Sequence, residues 1–292
     1  MKLVTFTYRK RRRVGEMIDD TIYELAWPDT MRQMVRRGLT AGRAYERFPI
    51  DQVDIEAPLQ PGKIIGIGLN YGDHAAETGK QPPAEPLVFA KLPSSVIGPD
   101  EPIMWRPAIT QQVDWEVELG VVIGKRARAV SPGDAYDHIF GYIVANDITA
   151  RDLQDNSPGG QWISAKGMDT FCPLGPCLVT RSDIEDPHAL ALKTTVNGAV
   201  MQDGNTRDML FKIPDLIAYC SQRFTLEPGD VLLTGTPAGV GRAKNPPRFL
   251  ADGDTVTVSV EGIGAMTNTC RVIAEAAAEA APAAVDSDAG EG

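Results

Sequence analysis

Between Lys63 and Val260 the chain is built from short apolar runs, and no long helix follows any of them. Strand candidates are Lys63–Leu69, Val88–Lys91, Glu116–Ile123, Tyr142–Asn146, Leu192–Val196, Val231–Thr234 and Thr255–Val260. Runs of this length, bounded by glycine and proline, read as strands. A doubly wound fold needs strands that alternate with long helices, and that alternation is missing. The fold class expected is therefore α+β and strand-rich. Asn197-Gly198 between two such runs predicts a tight type I′ hairpin. One helix is expected from Ile213 to Gln222, with Pro214 tolerated in its first turn.

Upstream, Leu3 to Tyr8 alternates as a strand does, a basic turn follows, and Val14–Ile18 and Thr21–Leu25 give two more strands. Asp29 to Arg47 has helical spacing at Met31, Met34, Val35 and Leu39, with a break at Gly38. Residues 1–57 thus predict a small, separate α+β lobe. The stretch Ala57-Pro58-Leu59-Gln60-Pro61-Gly62 ends it, and residues 58–274 form the main body. From Glu275 to Gly292 the chain is acidic and almost without large apolar residues, which predicts a disordered tail.

The 292 residues carry 29 Lys plus Arg against 39 Asp plus Glu, a formal net charge of −10. Nucleic-acid binding needs concentrated positive charge, so no nucleic-acid partner is expected. The basic run Arg9–Arg13 reads as a solvated hairpin tip. No apolar run approaches the ~18 residues of a membrane helix. The N-terminus places its basic block after the apolar positions, the reverse of a secretory signal, so a cytoplasmic protein is expected. Four scattered cysteines, Cys172, Cys177, Cys220 and Cys270, read as buried free thiols.

Chemistry enters with DWEVELGVVIG, which starts at Asp114. Asp114, Glu116 and Glu118 alternate, so a strand would turn all three to one face, about 7 Å apart from one to the next. Like charges on one face repel. A divalent cation would offset the repulsion, and hard oxygen ligands suit Mg²⁺, Mn²⁺ or Ca²⁺. A solvated sheet face is the competing explanation. Asp147, which closes the apolar strand YIVAN, adds a further acid. It reads either as a ligand or as the cap of a helix from Ile148, and Asp152 competes with it.

The motifs IGIGLNYGDHAAE, PLVFAKLPSSVIGP, VDWEVELGVVIGK, GYIVANDITARDLQ, AKGMDTFCPLGP, TTVNGAVMQDGNT and PGDVLLTGTPAGVG stand in this order. Together they resemble the fumarylacetoacetate hydrolase family from about Leu59 to Val272. The resemblance implies a mixed β-sandwich roll, a homodimer and an enzyme for small oxo acids. It implies Glu116, Glu118 and Asp147 as ligands of one Mg²⁺ or Mn²⁺, which leaves Asp114 outside the set. It implies catalytic roles for His74, Glu77 and Lys166. His74 would act as general base held by Glu77, and Lys166 would stabilise enolate charge. Lys91, Arg151, Gln154 and Thr236 are implied near the substrate. Many relatives carry Gly-Lys-Ser where this chain has Ala165-Lys166-Gly167.

The reaction expected is metal-dependent hydrolysis of a carbon–carbon bond in a 2,4-dioxo acid of the acylpyruvate, fumarylpyruvate or diketo-deoxy sugar acid type. Oxaloacetate decarboxylation and hydroxymuconate-type isomerisation or hydration are alternatives on the same scaffold, because an enolate serves all of them. A non-catalytic metal-binding scaffold is the rival from another class.

Overall fold

The computed structural model describes residues 1–38 and 41–274. The tail expected over 275–292 lies outside the described residues. Twelve strands form one sheet, with ten in a continuous path. The path runs Arg43–Pro49, Thr21–Leu25, Arg11–Ile18, Lys2–Tyr8, Cys172–Thr180, Ile139–Asn146, Val117–Ile123, Val231–Leu233, Ile64–Gly68 and Leu87–Lys91. Neighbours along it are antiparallel except Val231–Leu233 with Ile64–Gly68, so the sheet is mixed. Five strands make a second sheet, in the order Ala199–Asn205, Ala191–Val196, Thr255–Val260, Gly264–Val272 and Ile103–Trp105.

The two sheets share a core. Val256, Val258 and Val260 alternate inward along Thr255–Val260, and Val258 and Val260 cluster with Val117, Leu119 and Val121. Ile143, Val122, Leu174 and Leu178 turn to the opposite face of the large sheet, against Met31, Met34 and Val35. Val117–Ile123 is consequently buried at every residue. A strand covered on both faces carries a continuous apolar run, as this one does after its acids.

The hairpin at Asn197-Gly198 is present, with both residues at positive φ as a type I′ turn requires. The helix occupies Ile213–Arg223 and buries Ile213, Leu216, Ile217 and Cys220. Three sequence expectations change. The helix predicted over Asp29–Arg47 ends at Gly38, whose φ of 62° stops it, and Arg43–Pro49 is a strand paired with Thr21–Leu25. Only Phe48 is buried along that edge strand, so it carries no alternating apolar signal. The strand Cys172–Thr180 went unseen because Pro173, Gly175 and Pro176 read as breakers. Its pairing with Ile139–Asn146 shifts register opposite that stretch, a bulge that accommodates a proline.

The third change concerns the N-terminal lobe, which is not separate. Lys2 and Leu3 pair with Val179 and Leu178, so its strands extend the large sheet. The basic run is a hairpin turn at Arg9-Lys10 leading into a strand. Arg12 pairs with Glu56 at 2.5 Å, and Arg13 pairs with Glu24 at 2.5 Å and with Glu46. All four cysteines are buried free thiols. Among the described residues, no helix is long and apolar enough to cross a membrane.

Candidate metal and active site

Val117–Ile123 and Ile139–Asn146 are antiparallel neighbours, with Val117 opposite Asn146. That register sets Glu116 and Glu118 beside Asp147, whose backbone N–H donates to Glu116 O at 2.8 Å. One oxygen from each of the three carboxylates lies within 4.8 Å of the others, and all three residues are buried. Gly235 N donates to Glu118 Oε2 at 2.6 Å. Gly235 has φ +98°, and a Cβ there would sit 2.8 Å from Asn70 Cβ, so this donor position needs glycine.

The electrostatics of the three acids differ. Burial opposes the charge on Glu116, but Lys166, Arg151 and His74 outweigh it and hold the carboxyl well below its usual range. Burial, then Asp147 and Glu116, push Glu118 well above its usual value. A divalent cation between the three would remove that conflict. The donor set, hard carboxylate oxygens alone, fits Mg²⁺ or Mn²⁺.

Cations surround the acids. Lys166, on the short helix Ile163–Lys166, donates to Glu116 Oε2 at 2.9 Å, Asp147 Oδ2 at 2.7 Å and Thr149 Oγ1 at 2.7 Å. All three of its protons are thereby used. Burial disfavours its charge, but Asp147 and Glu116 outweigh that and raise its pKa. Lys91 donates to Asp147 Oδ1 at 2.6 Å and to the Lys166 carbonyl. The resemblance implies Lys91 near the substrate, but it does not line the cavity beside the acids. Asp147 and two backbone carbonyls hold its amine, so it supports the acids from behind.

Arg151 Nε donates to Asp114 Oδ2 at 2.8 Å, and Nη1 donates to Gln154 Oε1 at 3.0 Å. Nη2 lies 2.7 Å from Glu116 Oε1, an ion pair whose N–H does not point at the oxygen. Burial works against the Arg151 charge, and Asp114 and Glu116 outweigh it and raise its pKa. Asp114 Oδ1 also accepts from Trp115 N and Gly241 N, and Oδ2 from Arg242 N. Asp114 therefore orients Arg151 and anchors the Gly241-Arg242 backbone. Four buried acids, Asp114, Glu116, Glu118 and Asp147, face three buried bases, Lys91, Arg151 and Lys166. Fully ionised they leave one net negative charge. A divalent cation would turn that into one net positive charge, suited to an anionic substrate.

His74 and Glu77 lie on the helix Gly72–Glu77, three residues apart and on one side. His74 Nδ1 and Glu77 Oε1 are 2.8 Å apart, and Glu77 Oε2 accepts from Gly239 N at 2.8 Å. With the Nδ1 proton given to Glu77, Nε2 is the free acceptor. Asn70 fixes the approach to this helix, donating to Phe211 O and Thr234 O and accepting from Phe211 N.

His74, Glu116, Glu118, Arg151, Gln154, Lys166 and Thr236 line one cavity. Thr236 Oγ1 accepts from Gln202 Nε2 at 2.7 Å, which leaves its own hydroxyl proton to donate. Gln202 was not foreseen. It is buried, and its Oε1 takes the Val117 N–H that the strand ladder leaves unpaired. Lys80, Trp162 and Arg242 also line the cavity and went unseen, because no spacing rule links three scattered residues.

Three competing roles fall away. No helix starts at Ile148, so Asp147 is not a cap; Thr149–Ala150 pairs with Val113–Asp114 instead. Asp152 accepts from Thr110 Oγ1 and Gln111 N, away from the three acids. The solvated face is excluded too, since Asp114, Glu116 and Glu118 are all buried.

A model of the fumarylacetoacetate (FAA) hydrolase C-terminal family matches residues 63–271. The chain is 44% identical over 263 residues to the mitochondrial oxaloacetate tautomerase Fahd2a of Rattus norvegicus, covering 87% of this chain and 83% of that protein. Its Homo sapiens counterpart, FAHD2A, is also 44% identical, with the same coverage. Among solved structures, fumarylacetoacetate hydrolase from psychrophilic Exiguobacterium antarcticum aligns with a TM-score of 0.86 and 38% identity, over 94% of this chain and 100% of that one. A 2-hydroxyhepta-2,4-diene-1,7-dioate isomerase from Mycobacterium marinum aligns with a TM-score of 0.80 and 35% identity, over the same shares. On its motifs, its fold and these likenesses, the chain belongs to the fumarylacetoacetate hydrolase family.

Proposed function

We propose that this chain is a divalent-metal-dependent enzyme that interconverts keto and enol forms of a small 2-oxo acid of the oxaloacetate type. The observation that carries this is the buried cluster of Glu116, Glu118 and Asp147, whose two glutamates line one cavity with His74, itself paired with Glu77. The relatives named oxaloacetate tautomerase support the choice of reaction. Glu116, Glu118 and Asp147 would hold Mg²⁺ or Mn²⁺. When bound, the ion would polarise the 2-oxo group and lower the cost of enolate charge.

His74 Nε2 takes the proton from the carbon beside the oxo group and passes it to the enolate oxygen, which gives the enol; the reverse transfer gives the keto form, with Glu77 holding the ring. Lys166 adds positive charge at the acid cluster, and Lys91 and Asp114 keep Asp147 and Arg151 in place. Arg151, Gln154 and the free hydroxyl proton of Thr236 orient the substrate carboxylate. The helix carrying His74 closes one side of the cavity and limits water entry. A homodimer in the cytoplasm completes the reading. Sizing by light scattering and cell fractionation check those two points, the second because the relatives are named mitochondrial.

Carbon–carbon hydrolysis of a 2,4-dioxo acid is the second reading. The specific observation behind it is the same His74–Glu77 pair, which suits activation of water as well as removal of a carbon-bound proton. A Mg²⁺-dependent screen of oxaloacetate and 2,4-dioxo acids, with products identified, separates the two. Accelerated enol–keto interconversion of oxaloacetate, without pyruvate release from dioxo acids, is expected. His74→Ala should lower the rate about 100-fold. Pyruvate release from a dioxo acid would favour hydrolysis, and no turnover of any oxo acid would favour the non-catalytic scaffold.

A further inference from the structure

Lys80, Arg242 and the indole of Trp162 line the same cavity as Glu116, Glu118, Arg151 and Lys166. Arg242 Nη1 is already 2.8 Å from Asp155 Oδ1. Among the described residues Lys80 makes no ion pair, and its amine lies over the Trp162 ring, 5.9 Å from the centroid. Burial, then Arg242, and less strongly Arg151, lower its pKa. Lys80 is exposed to solvent on its other side, and Asp155 offsets part of the Arg242 effect.

The backbone restraint is specific. Thr78 Oγ1 donates to His74 O at 2.9 Å, Gly79 N to Ala76 O at 3.1 Å, and Lys80 N to Ala75 O at 2.9 Å. Gly79 turns at φ +67° to end the helix. The Lys80 backbone, just past the helix Gly72–Glu77, is thereby fixed relative to His74. An anion that meets Lys80 would lie along the same wall as the proposed base.

We infer that Lys80, assisted by Arg242, binds the second carboxylate of a 2-oxo dicarboxylate and so selects diacids over monoacids. This rests on the proposed reading of the site. It adds the residue that sets substrate class. A small diacid would place its 2-oxo and first carboxylate groups at the acid cluster and its far carboxylate between Lys80 and Arg242. The unpaired amine would then gain a partner, and the crowding of cations would be relieved.

The test is calorimetric titration of wild type, Lys80→Met and Lys80→Arg in the presence of Mg²⁺. The probes are oxalate, which reaches only the acid cluster, and N-oxalylglycine, which adds a distant carboxylate. Lys80→Met should weaken N-oxalylglycine roughly tenfold, as expected for one partly desolvated charge pair, and leave oxalate within about twofold. Lys80→Arg should restore most of the loss. Equal weakening of both probes, or of neither, would overturn the inference while leaving any measured turnover intact. Discrimination between the probes in a protein that turns over no oxo acid would sustain the subsite and sink the proposed reaction.

Discussion

Asp114 shows how much one side chain can organise here. Its two oxygens take N–H groups from Trp115, Gly241, Arg242 and Arg151. The alternation of Asp114 with Glu116 and Glu118 was legible, but its meaning was not. The spacing rule assumes one continuous strand. The structure breaks it at Trp115-Glu116, where Asp114 Oδ1 takes the Trp115 N–H and Asn146 Oδ1 takes the Glu116 N–H. Asp114 therefore leaves the acid cluster and holds Arg151 instead. Replacing it by Asn keeps the shape but leaves a buried guanidinium short of a charge. Asp114→Asn should cost about 3 kcal/mol in urea unfolding and at least tenfold in turnover. An unchanged unfolding midpoint would show that Arg151 does not depend on it.

At the scale of elements, the site is a meeting of strand ends with a loop. Val117–Ile123 and Ile139–Asn146 supply the acids at neighbouring ends. The segment after Val231–Leu233 supplies Gly235 N to Glu118 and Gly239 N to Glu77. Both the acid cluster and the His74–Glu77 pair therefore lean on this one loop. Gly235→Ala meets a left-handed φ and the Asn70 side chain together. It should destabilise the fold by about 1–3 kcal/mol and weaken Mg²⁺ binding measured by calorimetry. Wild-type Mg²⁺ affinity in this variant would mean that Glu118 is placed without the loop. Strands with apolar periodicity were readable, as Thr255–Val260 illustrates. Arg43–Pro49 and Cys172–Thr180 were not, the first being a polar edge strand and the second hidden by its prolines and glycine.

Across the whole molecule, two packed sheets bury the charged cluster and the cysteines alike. Burial pushes Cys172, Cys220 and Cys270 up to about 12 and Cys177 up to about 11. The sign follows from burial, which disfavours the thiolate. The native thiols should resist iodoacetamide from pH 7 to 9, while unfolded protein reacts faster as pH rises. Because the folded state keeps protons that the unfolded state releases, this contribution to stability falls as pH climbs through the ordinary thiol range. Fast labelling of native protein would contradict the packing. The family resemblance was legible because its motifs sit on strand ends and turns, where chemistry restricts residue choice. The place of Lys80 and Arg242 in the cavity was not, because only folding brings them to line it with Glu116 and Glu118. The central claim is that Glu116, Glu118 and Asp147 hold a catalytic divalent cation. Its most direct test is the rate of oxaloacetate enol–keto interconversion by chelator-stripped protein, followed by ultraviolet absorbance as Mg²⁺ or Mn²⁺ is added back. The account predicts no catalysis without metal and a saturable return of rate, abolished in Glu118→Gln; a stripped protein that is already at full rate would contradict it.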